Sequence, residues 1–295
     1  MRKAAWLVGS SIVAMLVGAS LAGAQGGWRA VEQAFGRAGA MQPGDVIRFS
    51  FPRSDLRVTV DGVQLRPALA LGSWIAMRRV PGGAMGMGDL VLTEDEVAPV
   101  ISRLQQGGVM QTAVHNHLLR EQPRIMYVHV DAHGDPVRIA QTVRAALALT
   151  RTPLDRPAPP PASPAPIDLD TAAVAAVLGT HGRVNGGVYQ VSVPRLGAIR
   201  EGTHEVPPSM GVATAINFQP TGGGRAAITG DFVMTAGEVN PVIRALRDNG
   251  IEVTALHSHL LGEQPHLYFM HFWANDDALR LARGLRAALS RMAVR

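Results

Sequence analysis

Along the chain, strict alternation of apolar and polar residues gives way to helical spacing, and the same succession then occurs a second time. In DVIRFSFP and LRVTVDGVQL apolar positions recur at every second residue, the period of a strand with one buried face, and Asp61-Gly62 supplies turn material. LGSWIAMRRV and AMGMGDLVL predict two further strands about the turn PGG. Thr93 then stands three residues before Glu96, a capping-box spacing, and EVAPVISRLQQGG carries helical spacing to a glycine stop. Pro99 falls early in that helix, where a missing N–H is tolerated. The strand VMQTAVHNH, the loop LLREQP, the strand RIMYVHV and a helix from about Asp135 to Leu149 complete the unit. The expected class is α+β, a mostly antiparallel sheet backed by helices, and the closing strand-helix-strand-strand-helix order resembles a ferredoxin-like arrangement.

The chain then repeats itself. GDLVLTEDEVAPVISRLQQGGVMQTAVHNHLLREQPRIMYVH, from Gly88, aligns without a gap with GDFVMTAGEVNPVIRALRDNGIEVTALHSHLLGEQPHLYFMH, from Gly230, at a constant offset of 142 residues. Between the copies, RTPLDRPAPPPASPAPID is too rich in proline for helix or central strand and reads as an extended spacer. The expected organisation is therefore two tandem α+β copies, residues 25–150 and 168–295, joined by a Pro-rich linker over 151–167.

Residues 1–24 change where the protein is expected to work. Arg2 and Lys3 precede AAWLVGSSIVAMLVGASLA, and small residues follow at Ala22–Ala24, the pattern of a signal peptide cleaved after Ala24. An uncleaved anchor is the alternative, since the run approaches the length of about 20 residues that spans a bilayer. With cleavage no transmembrane segment remains, and the protein is expected in the periplasm or secreted. Removing Arg2 and Lys3 leaves 26 arginines against 23 carboxylates, scattered without the basic stripe that nucleic-acid binding needs. The chain has no cysteine, which excludes an acylated cysteine, disulfides and thiolate metal sites.

The candidate chemistry sits in the predicted hairpin. His115, His117, Glu121 and His129 recur as His257, His259, Glu263 and His271, while Asn116 becomes Ser258, Arg120 becomes Gly262 and Arg124 becomes His266. Alternation places His115 and His117 on one face. A hairpin centred on Gln122 sets His115 across from His129 and His117 across from Tyr127, with His257 facing His271 and His259 facing Phe269. Three imidazoles and one carboxylate per copy suit a divalent transition metal such as zinc or copper, and are unlike a calcium or magnesium cage. The bland reading is a histidine-rich hairpin kept for structure alone. His133 and His266 occur in one copy each and rank as outer-shell or incidental. Met85 and Met87 invite copper but read as core filling.

The letters HNH carry no nuclease meaning here, because the middle residue is Ser258 in the second copy and the outer histidines lie on one strand. Cupins use a similar ligand set, yet the long helices fit a β-barrel poorly. FPRSDLRVTVDGVQLRPALALGSWIAM, GDLVLTEDEVAPV and HNHLLREQPRIMYVH together resemble the LppY/LpqO family of bacterial exported proteins, a domain-of-unknown-function family that includes mycobacterial lipoproteins. The resemblance covers essentially the whole mature chain and implies an envelope location without implying a reaction. Arg53 and Asp55 in the first block become Arg195 and Gly197, so an ordinary turn or salt bridge is the favoured role for Asp55.

Three functions compete at this stage. The first is a metal-binding exported protein with one site per copy. The second is a metal-dependent hydrolase of an envelope substrate with Glu121 and Glu263 as candidate general bases, there being no serine or cysteine nucleophile motif. The third is a module that holds a small polar ligand or a peptidoglycan fragment without metal, with Arg53, Arg195 and Arg124 available to anionic groups.

Overall fold

The computed structural model describes residues 27–154 and 166–295. The expected signal peptide and most of the Pro-rich linker lie outside the described residues. In the first half the chain runs α1 (Arg29–Phe35), β1 (Ala40–Gln42), β2 (Val46–Pro52), β3 (Thr59–Val60), β4 (Val63–Gln64), α2 (Pro67–Ala70), β5 (Gly72–Val80), β6 (Gly83–Thr93), α3 (Glu94–Gln106), β7 (Met110–His115), β8 (Ile125–Gly134) and α4 (Pro136–Leu147). The second half follows with α5 (Thr171–Leu178), β9 (Arg183–Asn185), β10 (Val188–Pro194), β11 (Arg200–Glu201), β12 (His204–Glu205), β13 (Ala213–Gly222), β14 (Arg225–Met234), α6 (Ala236–Asp248), β15 (Glu252–His257), β16 (Glu263–Gln264), β17 (Tyr268–Asp277) and α7 (Ala278–Leu289).

Each half is built on one six-stranded antiparallel sheet, ordered β1-β2-β5-β6-β8-β7 in the first and β9-β10-β13-β14-β17-β15 in the second. Strand β8 lies between β6 and β7, so β6-α3-β7 is a split β-α-β unit, as the order of predicted elements suggested. The capping boxes form as read: the backbone N–H of Thr93 donates to Glu96 Oε2 at 2.9 Å and that of Thr235 to Glu238 Oε2 at 2.7 Å.

The strand period decides what each face meets. On β8, Val128, Val130 and Ala132 turn toward α1, α3 and α4 and join Phe35, Phe49, Leu104 and Leu147 in one buried core. The alternate residues Tyr127, His129 and Asp131 turn the other way. On β17, Met270, Phe272 and Ala274 pack under α5, α6 and α7, and Phe269, His271 and Trp273 face away. The two sheets meet through these second faces. Two apolar clusters that draw on both halves line the seam: one joins Met85 and Met87 to Met210, Val233 and Phe269, and the other joins Leu65, Val91 and Tyr127 to Val188 and Trp273. Met85 and Met87 thus fill core, as expected. The layering is helices, sheet, sheet, helices, with the histidines in the middle.

Polar bonds also cross the seam. The Thr112 hydroxyl donates to the His259 carbonyl, and the equivalent Thr254 hydroxyl donates to the His117 carbonyl, a reciprocal clasp between the two hairpins. Gln219 bridges back to the first half by accepting from Arg66 N–H and donating to Gln64 O, each at 2.8 Å.

Two of the three arginines offered for anionic ligands are differently employed, while Arg124 stays exposed beside Glu94 at 3.5 Å. Arg53 is fully buried and donates to Asp55, to Glu96 and to the Val91 carbonyl. Arg195 pairs with Glu238 and donates to the Val233 carbonyl. Asp55 therefore holds a salt bridge, the favoured reading of that residue.

Candidate metal centre

His115 ends β7, His117 lies two residues beyond it, and His129 sits within β8. The pairing register differs from the expected one by two residues: His115 is opposite Tyr127, Ala113 is opposite His129, and in the second half His257 is opposite Phe269. The turn is centred nearer to Glu121 than to Gln122, and a bulge between Gln111 and Ala113 offsets the ladder further. A slip of two keeps every side chain on its face, so the three imidazoles of each copy still share one surface.

That surface meets its counterpart. His115 stacks on His257 with ring centroids 3.6 Å apart, His117 on His271 at 3.8 Å, and His129 lies against His259 at 3.8 Å. These separations are shorter than those within a half, where His115 and His129 are 4.9 Å apart and His257 and His271 4.8 Å. The expected two separate sites are one cluster of six histidines spanning the seam. Tyr127 lies flat on His117 and Phe269 flat on His259, closing its two ends.

Two further residues enter that the sequence reading missed. Asp89 on β6 and Asp231 on β14 occupy equivalent positions 142 residues apart, each after a glycine, in GDLV and GDFV. Asp89 Oδ2 stands 3.2 Å from His117 Nε2 and Asp231 Oδ2 2.9 Å from His259 Nε2. An aspartate inside a strand flanked by buried apolar residues, repeated in both copies, was the available signal. The preceding glycines let the backbones close in: a Cβ at Gly88 would lie 2.3 Å from the Trp74 carbonyl oxygen, and one at Gly230 1.9 Å from that of Ala215.

The hydrogen bonds orient the rings. Nδ1 of His129 contacts the Gly88 carbonyl at 3.2 Å and Nδ1 of His271 that of Gly230 at 2.7 Å, while His115, His257 and His259 reach the carbonyls of Asn116, Ser258 and Gly211. A carbonyl only accepts, so the proton of each of these neutral rings is on Nδ1, and Nε2 presents a lone pair to the cluster interior. Metal-ligating histidines are held in this way. Inside, Nε2 of His115, His117, His129 and His259 and Oδ1 of Asp89 and Asp231 are buried without a hydrogen-bond partner. Nε2 of His257 and Nε2 of His271 are 2.8 Å apart. Two lone pairs at that distance repel unless a positive charge lies between them.

Burial sets the charge state. It holds His117, His129 and His271 well below the usual imidazole range, with the neighbouring imidazoles adding to the effect, and pushes His257 and His259 down to about 3. It raises Asp89 and pushes Asp231 up to about 7. A second proton is therefore a poor occupant of the Nε2 lone pairs near neutral pH.

The donors fit a metal ion. Asp89, His115, His117 and His129 form one group whose ligand atoms lie within 4.8 Å of one another; His115, His257 and His271 form a second, and His129, His257 and His259 a third. The second and third groups draw on both halves. Donors around a tetrahedral ion with bonds of about 2.0–2.1 Å are separated by about 3.3 Å, close to the His–Asp separations here. As whole residues His115, His117 and His257 are partly exposed while His129, His259 and His271 are buried, and Nε2 of His115 and of His117 is itself buried.

Glu121 and Glu263 do not join these groups. Glu121 Oε2 accepts from the Ile125 N–H at 3.4 Å, and Glu263 Oε1 accepts from the Leu267 N–H at 2.7 Å with His266 Nδ1 at 3.2 Å. Both carboxyls brace the hairpin loop, which accounts for their recurrence. His266 thus braces a loop, and His133 lies at the seam beside Glu201.

Burial also pushes Glu121 up to about 8, against an ordinary 4.5. Between those values the folded chain keeps a proton that the unfolded chain has released. This contribution to stability is therefore complete below about pH 4.5 and is lost as pH rises through about 8. Glu121→Gln keeps the shape and removes the titration. Urea denaturation should show the wild type losing about 2–4 kcal/mol more than this variant between pH 5 and pH 9; parallel pH profiles would contradict a proton held there.

The sequence model of the family described as Domain of Unknown Function (DUF1259) matches residues 29–149 and again residues 172–291. No curated protein matches the sequence. Among solved structures, a trimeric bacterial microcompartment shell protein, PduB, is similar at 14% identity over 85% of this chain and 90% of that chain, with a TM-score of 0.21. EtuB from Clostridium kluyveri is similar at 10% identity over the same shares, with a TM-score of 0.19. Superpositions this loose bear on neither fold nor function. Among the described residues, no helix is long and apolar enough to cross a membrane.

Proposed function

Starting from a chain that belongs to the DUF1259 family and carries two tandem copies of its domain, we propose an exported metal-binding protein whose copies jointly build one divalent transition-metal centre. The ligands are drawn from His115, His117, His129, His257, His259 and His271, with Asp89 and Asp231 replacing the carboxylates Glu121 and Glu263. The observation that carries this reading is the facing pair His257 Nε2 and His271 Nε2 at 2.8 Å, both rings anchored through Nδ1 to carbonyls. A cation relieves that contact and satisfies the neighbouring unpartnered atoms together.

Imidazole and carboxylate donors without sulfur suit zinc or copper(II). Assignment to the LppY/LpqO group rests on the HNHLL and EQP blocks, and periplasmic or secreted placement rests on Arg2, Lys3 and the apolar run after them. Metal analysis of the purified mature protein tests the centre: the wild type should carry zinc or copper, and the His117→Ala/His259→Ala variant should be depleted. Equal metal content in the two proteins would refute the reading.

A hydrolytic role is favoured by one observation, the partial exposure of the His115 and His257 residues at the edge of the centre, the side from which water and a substrate would approach. Its general base is then Asp231, which is partly exposed at the centre, in place of Glu121 or Glu263. Ester, amide and phosphoester probes with and without chelator test it, and inactivity of a metal-loaded sample leaves binding as the function.

A further inference from the structure

A second cluster lies at the seam outside the histidine centre. Asp131 and His133 occupy alternate positions on β8 and so share a face, and Glu201 reaches them from β11 of the other half. His133 Nε2 stands 3.0 Å from Glu201 Oε2 and 3.7 Å from Asp131 Oδ1. Asp131 is 2% exposed, and its Oδ1 has no hydrogen-bond partner.

We propose that Asp131, His133 and Glu201 form a separate divalent-cation site that ties the first half to the second. Even with a side-chain hydrogen bond between Asp131 and Glu201, a salt bridge alone leaves Asp131 Oδ1 buried and unpartnered. The single Nε2 proton of a charged His133 is within bonding distance of Glu201, while 3.7 Å is too far to satisfy Asp131. A cation among the three meets the buried oxygen, the second carboxylate and a neutral imidazole at once, and all three ligand atoms lie within 4.8 Å of one another. Two carboxylates and one imidazole make a harder donor set than the histidine centre and suit zinc or manganese(II). The His133 side chain is 38% exposed, which leaves room for water to complete the coordination shell.

The duplication does not supply this site. The residues equivalent to Asp131 and His133 are Trp273 and Asn275, and the hairpin pairing Val60 with Val63 and Glu201 with His204 makes Val60 the equivalent of Glu201. The three meet only where β8 of the first copy approaches β11 of the second. The site is thus a feature of this joined pair, independent of the histidine centre.

The test is calorimetric titration of chelator-stripped full-length mature protein with Zn(II), and separately with Mn(II). The wild type should bind one equivalent more than either Asp131→Asn or Glu201→Gln, or bind that equivalent at least tenfold more tightly. The His117→Ala/His259→Ala variant should keep this equivalent. The same Zn(II) and Mn(II) stoichiometry and affinity in wild type and in Glu201→Gln would overturn the proposal. Glu201→Gln alters a carboxylate near the surface and keeps the test decisive if Asp131→Asn fails to fold. Loss of metal from the histidine variant alone reports on the other centre, so the two readings fail separately.

Discussion

Replacing His257 by alanine is expected to strip metal from the centre of the whole molecule, not from half of it. His257 belongs to two of the three ligand groups, one shared with His115 and one with His129, and its ring lies against His115 with centroids 3.6 Å apart. Two independent sites, one per copy, would leave half of the bound metal in this variant. A shared centre leaves far less. Loss of a ring that helps hold both cross-half groups should weaken binding by at least about 100-fold, the upper end of what loss of an outer-shell partner costs. Metal-to-protein ratios after dialysis against a weak chelator, measured in a Glu201→Gln background so that the group of Asp131, His133 and Glu201 adds no ion, distinguish the cases. The mirror variant His115→Ala should behave alike, and retention of half the metal in either would restore the two-site arrangement.

Arg53→Ala should be the most damaging single change away from the centre. Its guanidinium, fully buried, pairs with Glu96 at 2.6 Å and with Asp55 at 2.9 Å and donates to the Val91 carbonyl. Its removal leaves Glu96 as a buried carboxylate without its cation, at a cost of about 3–5 kcal/mol. Arg195 is the internal control. Its equivalent of Asp55 is Gly197, it is 7% exposed, and Glu238 keeps the same two backbone donors as Glu96, Thr235 and Ala293 standing for Thr93 and Arg151. Arg195→Ala should therefore cost less, by about 1 kcal/mol or more, for want of one charged hydrogen-bond partner. Equilibrium urea unfolding measures both, and equal losses would show that Asp55 contributes nothing.

Much of this was legible before the structure. The alternation in RIMYVHV and the capping residues Thr93 and Glu96 announced β8 and α3, because local steric and hydrogen-bonding preferences decide both. The shared face of His115, His117 and His129 was readable for the same reason, and it survived a register slip of two. The slip itself was not readable, since a nine-residue loop and a bulge set the pairing through contacts remote in sequence. Glu121 and Glu263 recur as regularly as the histidines, and recurrence cannot separate a loop brace from a ligand. Asp89 was hidden in an apolar strand. That the two histidine faces oppose each other depends on how one sheet lies on the other, a relation on which periodicity within a copy is silent.

The reciprocal bonds of Thr112 and Thr254 across the seam have a consequence for ancestry. Exchange of equivalent bonds between equivalent residues is the signature of a two-fold isologous contact, the kind that joins the subunits of a homodimer. A chain with one copy of this domain would complete the centre only by pairing with itself, at a concentration-dependent cost. Fusion of two copies makes that encounter intramolecular. It also frees each half from having to match the other, and Asp131, His133 and Glu201 on one side, with Trp273, Asn275 and Val60 on the other, record the freedom being used.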